Sequence, residues 1–385
     1  MPKVNPNILA WARERAGLSV EEAAHAIGLN GDSGVQRLLE IEAGERDLTR
    51  PQLLRVAAKY HRPLLTFYLQ APPEPAPATH DFRTLPDAEP GPEALLEALV
   101  RDVKARQALV RNALEDADQA DPVEFVGSVP ANEGSAGLAQ AIIQSLDFSR
   151  AAFRNAANVG EAFRVLREAV EAKGVFVLLM GNLGHHTSNI SPSVFRGMAL
   201  ADDIAPFIVI NETDARSAWS FTLLHELGHI LLGQSAISGY DSEAAVERLC
   251  DDAAARVLLD VDELGQLQTT VALANLVEQI GGFATGRKVS RKMVAYNLLR
   301  AGRITAATYR ALAARFDEDR AEFQQQPANA AGGPNYYVVR RHRVGPGLLG
   351  LVTRMITAGA LTATKAGKVL GVKPTAVGRM VERAA

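Results

Sequence analysis

The chain has one cysteine in 385 residues, Cys250, so no internal disulfide can form, and its chemistry fits a reducing cytoplasm. No apolar run approaches the roughly 20 residues of a membrane-spanning helix. The first residues, Met1-Pro2-Lys3-Val4-Asn5, contain no apolar signal core. A cytoplasmic protein without a membrane partner is the expectation. A strong net charge is also lacking, the sum being −3, but the mean hides an asymmetry. Residues 1–70 carry nine Lys/Arg and eight Asp/Glu, whereas residues 331–385 carry nine Lys/Arg against Glu382 alone. That basic tail reads either as an electrostatic footprint for nucleic acid or an acidic partner, or as a solvated positive face. With 47% hydrophobic and 22% charged residues, the composition is that of a soluble globular protein, and the length predicts two or three domains.

No proline interrupts Phe221-Thr222-Leu223-Leu224-His225-Glu226-Leu227-Gly228-His229-Ile230-Leu231-Leu232. Its apolar positions recur at helical spacing, so the stretch reads as a buried helix. Residues four apart share a helix face, so His225 and His229 can reach one metal ion, with Glu226 placed as general base. Chance produces H-E-x-x-H in roughly 1% of chains of this length on ordinary residue usage, which makes a purely structural pair of histidines the weaker explanation. A catalytic zinc site needs a third protein ligand. Glu247, eighteen residues after His229, opens a second helical stretch that runs through Leu249, Ala253, Val257 and Leu258. From spacing alone Glu247 is either that ligand or a first-turn glutamate favouring the helix dipole. Cys250, on the apolar side of the same stretch, reads as a small core residue.

Three segments together resemble the ImmA/IrrE metallopeptidase family: Ala205-Pro206-Phe207-Ile208-Val209-Ile210-Asn211, the HExxH helix, and Glu247-x-x-Cys250-Asp251-x-x-Ala254-Ala255-x-x-Leu258. The resemblance implies a zinc ion (Zn2+) held by His225, His229 and Glu247, with Glu226 as general base. It departs from the family at Asp260, which stands where proline is usual.

Residues 7–70 read as a small helical module. Gly17 and Gly28 stop its first two helices, and Ser19 with Glu22 forms a capping box that opens the second. Helices are expected at about 33–43 and 51–60. Leu18-Ser19-x-Glu21-Glu22-Ala23-Ala24, Gln36, Glu42-x-Gly44 and Leu53-x-x-x-Ala57 resemble the phage-repressor, XRE-like, type of helix-turn-helix domain. Ser33, Gln36 and Arg37 would then start the recognition helix, although Glu40, Glu42 and Glu45 crowd the same region. A helical protein-docking module is the competing reading.

The expected organisation is α+β: an XRE-like domain (1–70), a proline-rich linker and connecting helix (71–136), a zincin-like metallopeptidase domain (137–265), a helical extension (266–325) and a basic C-terminal region (326–385). Strands are expected at Val175–Met180, Phe195–Leu200 and Phe207–Ile210, and a short one at Tyr336–Val339. An extended substrate is expected along Phe207–Asn211 taken as an edge strand, with Asn211 and Arg216 as candidate substrate contacts. His185-His186 reads as a solvent-exposed loop pair. Ala366-Gly367-Lys368-Val369-Leu370-Gly371-Val372-Lys373-Pro374 reads as a further helix-turn-helix-like pair.

The resemblance spans about residues 7–380. It implies a regulatory endopeptidase that cleaves a cognate repressor or antitoxin, in stress response or toxin–antitoxin control, coupled to DNA binding through the N-terminal domain. The alternative is a DNA-binding regulator or antitoxin that uses the peptidase fold as a scaffold for a toxin or other partner. Repressor-type modules usually pair on DNA, so a homodimer is among the expected forms.

Overall fold

The computed structural model describes residues 3–73, 90–184, 188–238, 244–325 and 335–382. His185-His186, most of the proline-rich linker and residues 239–243 lie outside the described residues. The chain divides into two compact units, Met1–Val103 with Asn182–Val194, and Lys104–Gly181 with Phe195–Ala385.

The first unit opens with α1 (Pro6–Arg15), α2 (Val20–Ala26), α3 (Asp32–Glu42) and α4 (Arg50–Lys59), followed by a 3-10 turn at Leu64–Tyr68. Local chemistry sets the starts. Asn5 caps α1, with Pro6 just inside it, and reciprocal capping boxes (Ser19 with Glu22, Thr49 with Gln52) open α2 and α4. Ile8, Leu9, Ile27, Leu38, Leu53, Val56 and Phe67 close one apolar core. Two of the crowding glutamates are neutralised within this unit. Glu42 accepts two hydrogen bonds from Arg13, at 2.8 and 3.1 Å, and Glu40 pairs with Arg46 at 3.2 Å.

α5 (Pro90–Asp116) is followed by α6 (Gly134–Leu146), α7 (Arg150–Arg154) and α8 (Val159–Ala172). Four strands then form one mixed sheet with two further helices: β1 (Phe176–Leu179), β2 (Gly197–Leu200), β3 (Phe207–Ile210), α9 (Arg216–Leu231), β4 (Ala236–Ser238) and α10 (Ala244–Leu258). The strand order is β1-β3-β2-β4, with β1 parallel to β3 and the other pairs antiparallel. Every residue of β1, β2 and β3 is buried, as continuous apolar runs require when both faces of a sheet are covered. β3 is therefore internal, not the expected edge strand. Its backbone groups are already bonded to β1 and β2, so no substrate strand can add to it. The edge on the β2 side is β4.

α11 (Leu273–Arg287), α12 (Arg291–Arg300) and α13 (Ala306–Gln325) follow. A 3-10 turn at Val261–Gln266 separates α10 from α11. Asp260 starts that turn, its side chain accepting the Asp262 N–H, which explains its presence where the resemblance has proline. The chain closes with α14 (Tyr336–Val344), α15 (Pro346–Thr357), α16 (Ala363–Leu370) and α17 (Val377–Val381). Tyr336–Val339, expected as a strand, is the first turn of α14. Asn335 caps it by accepting the Tyr337 N–H, and the helix continues through Arg340–Arg343, so the cap and tertiary packing override the local β preference.

Gly345 and a buried ion pair position these last helices. Arg167 on α8 donates to the carbonyls of His342 (2.6 Å) and Arg343 (3.3 Å) and to Glu171 (3.1 Å), while Glu171 accepts the Gly347 N–H at 2.8 Å. Gly345 lies at φ 87° directly against both side chains, where any Cβ would overlap them.

Candidate metal centre

Helix α9 is buried from Trp219 onward except at Phe221, because it lies between the sheet and the α6–α10 pair. Gly228 lets α10 approach closely: a Cβ there would stand 3.2 Å from Cys250 Sγ. That crossing carries Glu247, one turn before Cys250, to the two histidines. His225 Nε2 and His229 Nε2 are 3.2 Å apart, Glu247 Oε1 is 3.1 Å from the second and Oε2 is 3.3 Å from the first. Tetrahedral zinc with bonds of about 2.0–2.1 Å sets its donor atoms about 3.3 Å apart. The three side chains thus already have the edge lengths of such a site, and they form a group able to hold a metal ion. Two imidazole nitrogens at this separation repel unless a proton or a cation lies between them.

Asp251, one turn beyond Glu247, accepts a hydrogen bond from His225 Nδ1 at 2.9 Å. This bond leaves the proton on Nδ1 and turns the Nε2 lone pair toward the other donors. Burial pushes the His225 imidazole down, but Asp251, Glu247 and Glu226 outweigh it, so its pKa is raised to about 10 without a metal. Glu226 is fully buried, and its carboxylate lies against Gly197 of β2, where a methyl group would overlap it. The room for the Glu226 carboxylate is therefore made by a bare glycine in the sheet. Cys250 is buried and its thiol is pushed up by burial and by the carboxylates of Glu226, Glu247 and Asp251, which fits a core residue and not a nucleophile.

Other expected site residues lie elsewhere. Asn211 is fully buried, donates to Phe195 O at 3.0 Å and accepts from the Thr213 N–H and hydroxyl. Its side chain holds the β3–α9 turn. Arg216 is exposed at the first turn of α9, 6.0 Å from the Trp219 ring centroid. It precedes His225 by nine residues, about 13 Å along the axis at about 1.5 Å per residue. Ser33, Gln36 and Arg37 are exposed on α3 in the first unit. Asp251 and Gly197 were missed from sequence. Asp251 carried a usable signal, being four residues after Glu247 and hence on its face. Gly197 carried none, since its contact with Glu226 is nonlocal.

Residues 181–299 match the family model of the IrrE N-terminal-like domain, Peptidase_M78. The matched span contains His225, Glu226, His229, Glu247 and Asp251, and it supports a peptidase of the ImmA/IrrE type. It is narrower than the resemblance read from the sequence and leaves α1–α8 and α13–α17 outside. No curated protein and no solved structure matches the chain. No helix among the described residues is long and apolar enough to cross a membrane.

Proposed function

We propose that the chain is a zinc-dependent regulatory endopeptidase whose substrate is a repressor or antitoxin protein, coupled to DNA binding. The observation that carries the peptidase part is the convergence of His225, His229 and Glu247 at tetrahedral edge lengths, with Glu226 beside them. His225, His229 and Glu247 would hold the ion. When bound, zinc acidifies the attacking water and polarises the scissile carbonyl. Glu226 takes the proton from that water and returns it to the leaving amine. Its buried position against Gly197 keeps it close to one geometry and shields it from bulk solvent. Asp251 keeps His225 in the tautomer that presents Nε2. An extended substrate would add to the outer edge of β4, whose inner edge is paired with β2, the strand beneath Glu226.

The regulatory part rests on the first unit. Two helices, α2 with its Ser19 capping box and α3, are joined through Gly28 and Gly31, with Ser33, Gln36 and Arg37 exposed on the second. Neutralisation of Glu42 by Arg13 weakens the electrostatic objection to DNA there.

The test is Glu226→Gln. The purified variant is expected to keep about one zinc per chain while losing cleavage of the partner protein, whereas His225→Ala and Glu247→Ala lose the metal. If Glu226→Gln supports full function in cells, proteolysis is not the activity, and the scaffold reading takes its place.

A further inference from the structure

The peptidase reading leaves the α16–α17 pair unused. Thr362 caps α16 by accepting the Lys365 N–H, and Gly371 ends it in the left-handed region at φ 63°. After a three-residue turn, a short 3-10 segment (Pro374–Ala376) runs into α17. Ala366, Val369, Leu370, Val377 and Met380 are buried along the inner side of the pair. Gly367 makes the crossing sharp. A Cβ there would sit 2.8 Å from Val372 O and 3.2 Å from Pro374 N, so only glycine lets the second segment lie directly on α16. Two short helices meeting at a three-residue glycine turn over a small-residue contact are a helix-turn-helix.

The pair is held rigidly from outside. Arg106 on α5 donates to Val369 O at 3.3 Å, Arg340 to Leu370 O at 2.9 Å and Arg341 to Met380 O at 3.0 Å. These arginines occupy the C-terminal carbonyls of both helices, where positive charge also suits the helix dipole. Arg343 pairs with Glu212 at 2.7 Å. Three arginines of the basic tail are therefore internal fasteners. On α16 and the second segment, Lys365, Lys373, Thr375, Gly378 and Arg379 are exposed. From 335 to 381 the sequence has no aspartate or glutamate; the one acidic group at the segment is Glu382, whose Oε1 is 3.6 Å from where a Cβ on Gly378 would stand.

Two partners fit a positive face: a polyanionic nucleic acid or an acidic protein. Protein interfaces are anchored by large apolar or aromatic side chains. On the pair itself, between 362 and 382, no large hydrophobic side chain is exposed among the described residues; the exposed Tyr336 and Val338 lie on the neighbouring α14. The second segment offers instead small residues (Thr375, Gly378) flanked by cations, which suits close approach of a backbone to a DNA groove.

We infer that α16–α17 is a DNA-binding helix-turn-helix, separate from the amino-terminal module, whose second segment docks in the major groove of duplex DNA with Lys373 and Arg379 on phosphates. The inference does not depend on the peptidase activity.

The test uses the full chain and a labelled mixed-sequence duplex of about 30 base pairs, followed by fluorescence anisotropy from about 50 to 200 mM salt. Wild type is expected to bind with a steep salt dependence. The double variant Lys373→Glu/Arg379→Glu is expected to bind at least about tenfold more weakly at about 100 mM salt, with the log–log salt slope reduced by about two, at about 0.9 per phosphate contact. The milder Lys373→Gln/Arg379→Gln should fall between the two, and both variants should melt as wild type because the side chains are exposed. An Arg37→Glu variant separates any contribution of the amino-terminal module. Wild-type affinity and slope in the Lys373/Arg379 variants would overturn the inference, as would failure of wild type to bind at low salt. Binding of poly-glutamate without binding of the duplex would overturn it too, marking the face as one for an acidic protein.

Discussion

Replacing Asp251 by asparagine separates metal binding from folding more cleanly than any ligand substitution. Its carboxylate is 2.9 Å from His225 Nδ1, but its side chain is 38% exposed while that of His225 is 4% exposed. An ion pair exposed to this extent on one side contributes at most about 1 kcal/mol to stability, so the metal-free fold should lose a little stability at pH values where His225 is protonated and none above them. Metal affinity depends on the same bond differently. Asparagine can still accept from Nδ1–H through its oxygen, but it carries no charge to raise the basicity of Nε2, and its amide can flip to present a donor. Loss of such a supporting carboxylate costs about 10–100-fold in metal affinity, which is about 1.4–2.7 kcal/mol. The assay is zinc competition against a chromophoric chelator, alongside thermal melts of the metal-free protein. The expected result is a melting temperature within a degree or two of wild type and zinc affinity reduced 10–100-fold. Wild-type zinc affinity would refute the argument that Asp251 positions His225. A collapse of the metal-free fold would show instead that the contact is structural.

Arg167→Met should be the most damaging single change outside the site. It strands Glu171 and the carbonyls of His342 and Arg343 inside the fold, and breaking a buried pair from one side costs about 3–5 kcal/mol; denaturant titration measures it, and a loss under about 1 kcal/mol would refute the assignment. Metal-free protein should lose stability as pH rises from about 6.5 toward about 10, because the folded state holds the His225 proton more tightly than the unfolded chain. That contribution is complete below the unfolded pKa and gone above the folded one. Zinc must displace this proton, so titration calorimetry near neutral pH in two buffers of different ionisation enthalpy should report release of about one proton per zinc bound; release of none would contradict the raised pKa.

The parts of the fold readable in the sequence are those set by local chemistry. A capping box marked the start of α2, Gly17 and Gly28 marked the ends of the first two helices, and the unbroken apolar runs of β1 and β3 marked strands. His225, Glu226 and His229 announced themselves because one helix turn alone fixes their relation. Glu247 could be proposed but not settled from spacing, since its approach depends on Gly228 allowing α10 to cross α9. Strand order lay beyond reach for a related reason. Phe207–Ile210 looks the same whether it is an edge or a central strand, and only the nonlocal pairing with β1 and β2 decides. Asn211 looked polar and available between strand and helix, yet its amide and carbonyl groups are what that turn needs to be buried.

Charge was the least reliable guide, and the C-terminal region shows why. A count of basic residues treats Arg340, Arg341 and Arg343 as equivalent to Lys373 and Arg379. In the fold the first three are partly buried and tied to the carbonyls of Leu370 and Met380 and the carboxylate of Glu212; Arg343 is neutralised by its partner, and the guanidinium groups of Arg340 and Arg341 are committed to internal hydrogen bonds. The same holds with opposite sign in the first unit, where Glu42 is cancelled by Arg13. Once the paired groups are removed from both counts, the acidic crowding that argued against nucleic acid near α3 shrinks. The basic excess near α16–α17 becomes smaller but sits on one exposed, hydrophobe-free helix-turn-helix. What matters for a polyanion is which charges remain for it to meet, and Lys373 and Arg379 meet that condition in a way that the total never indicated.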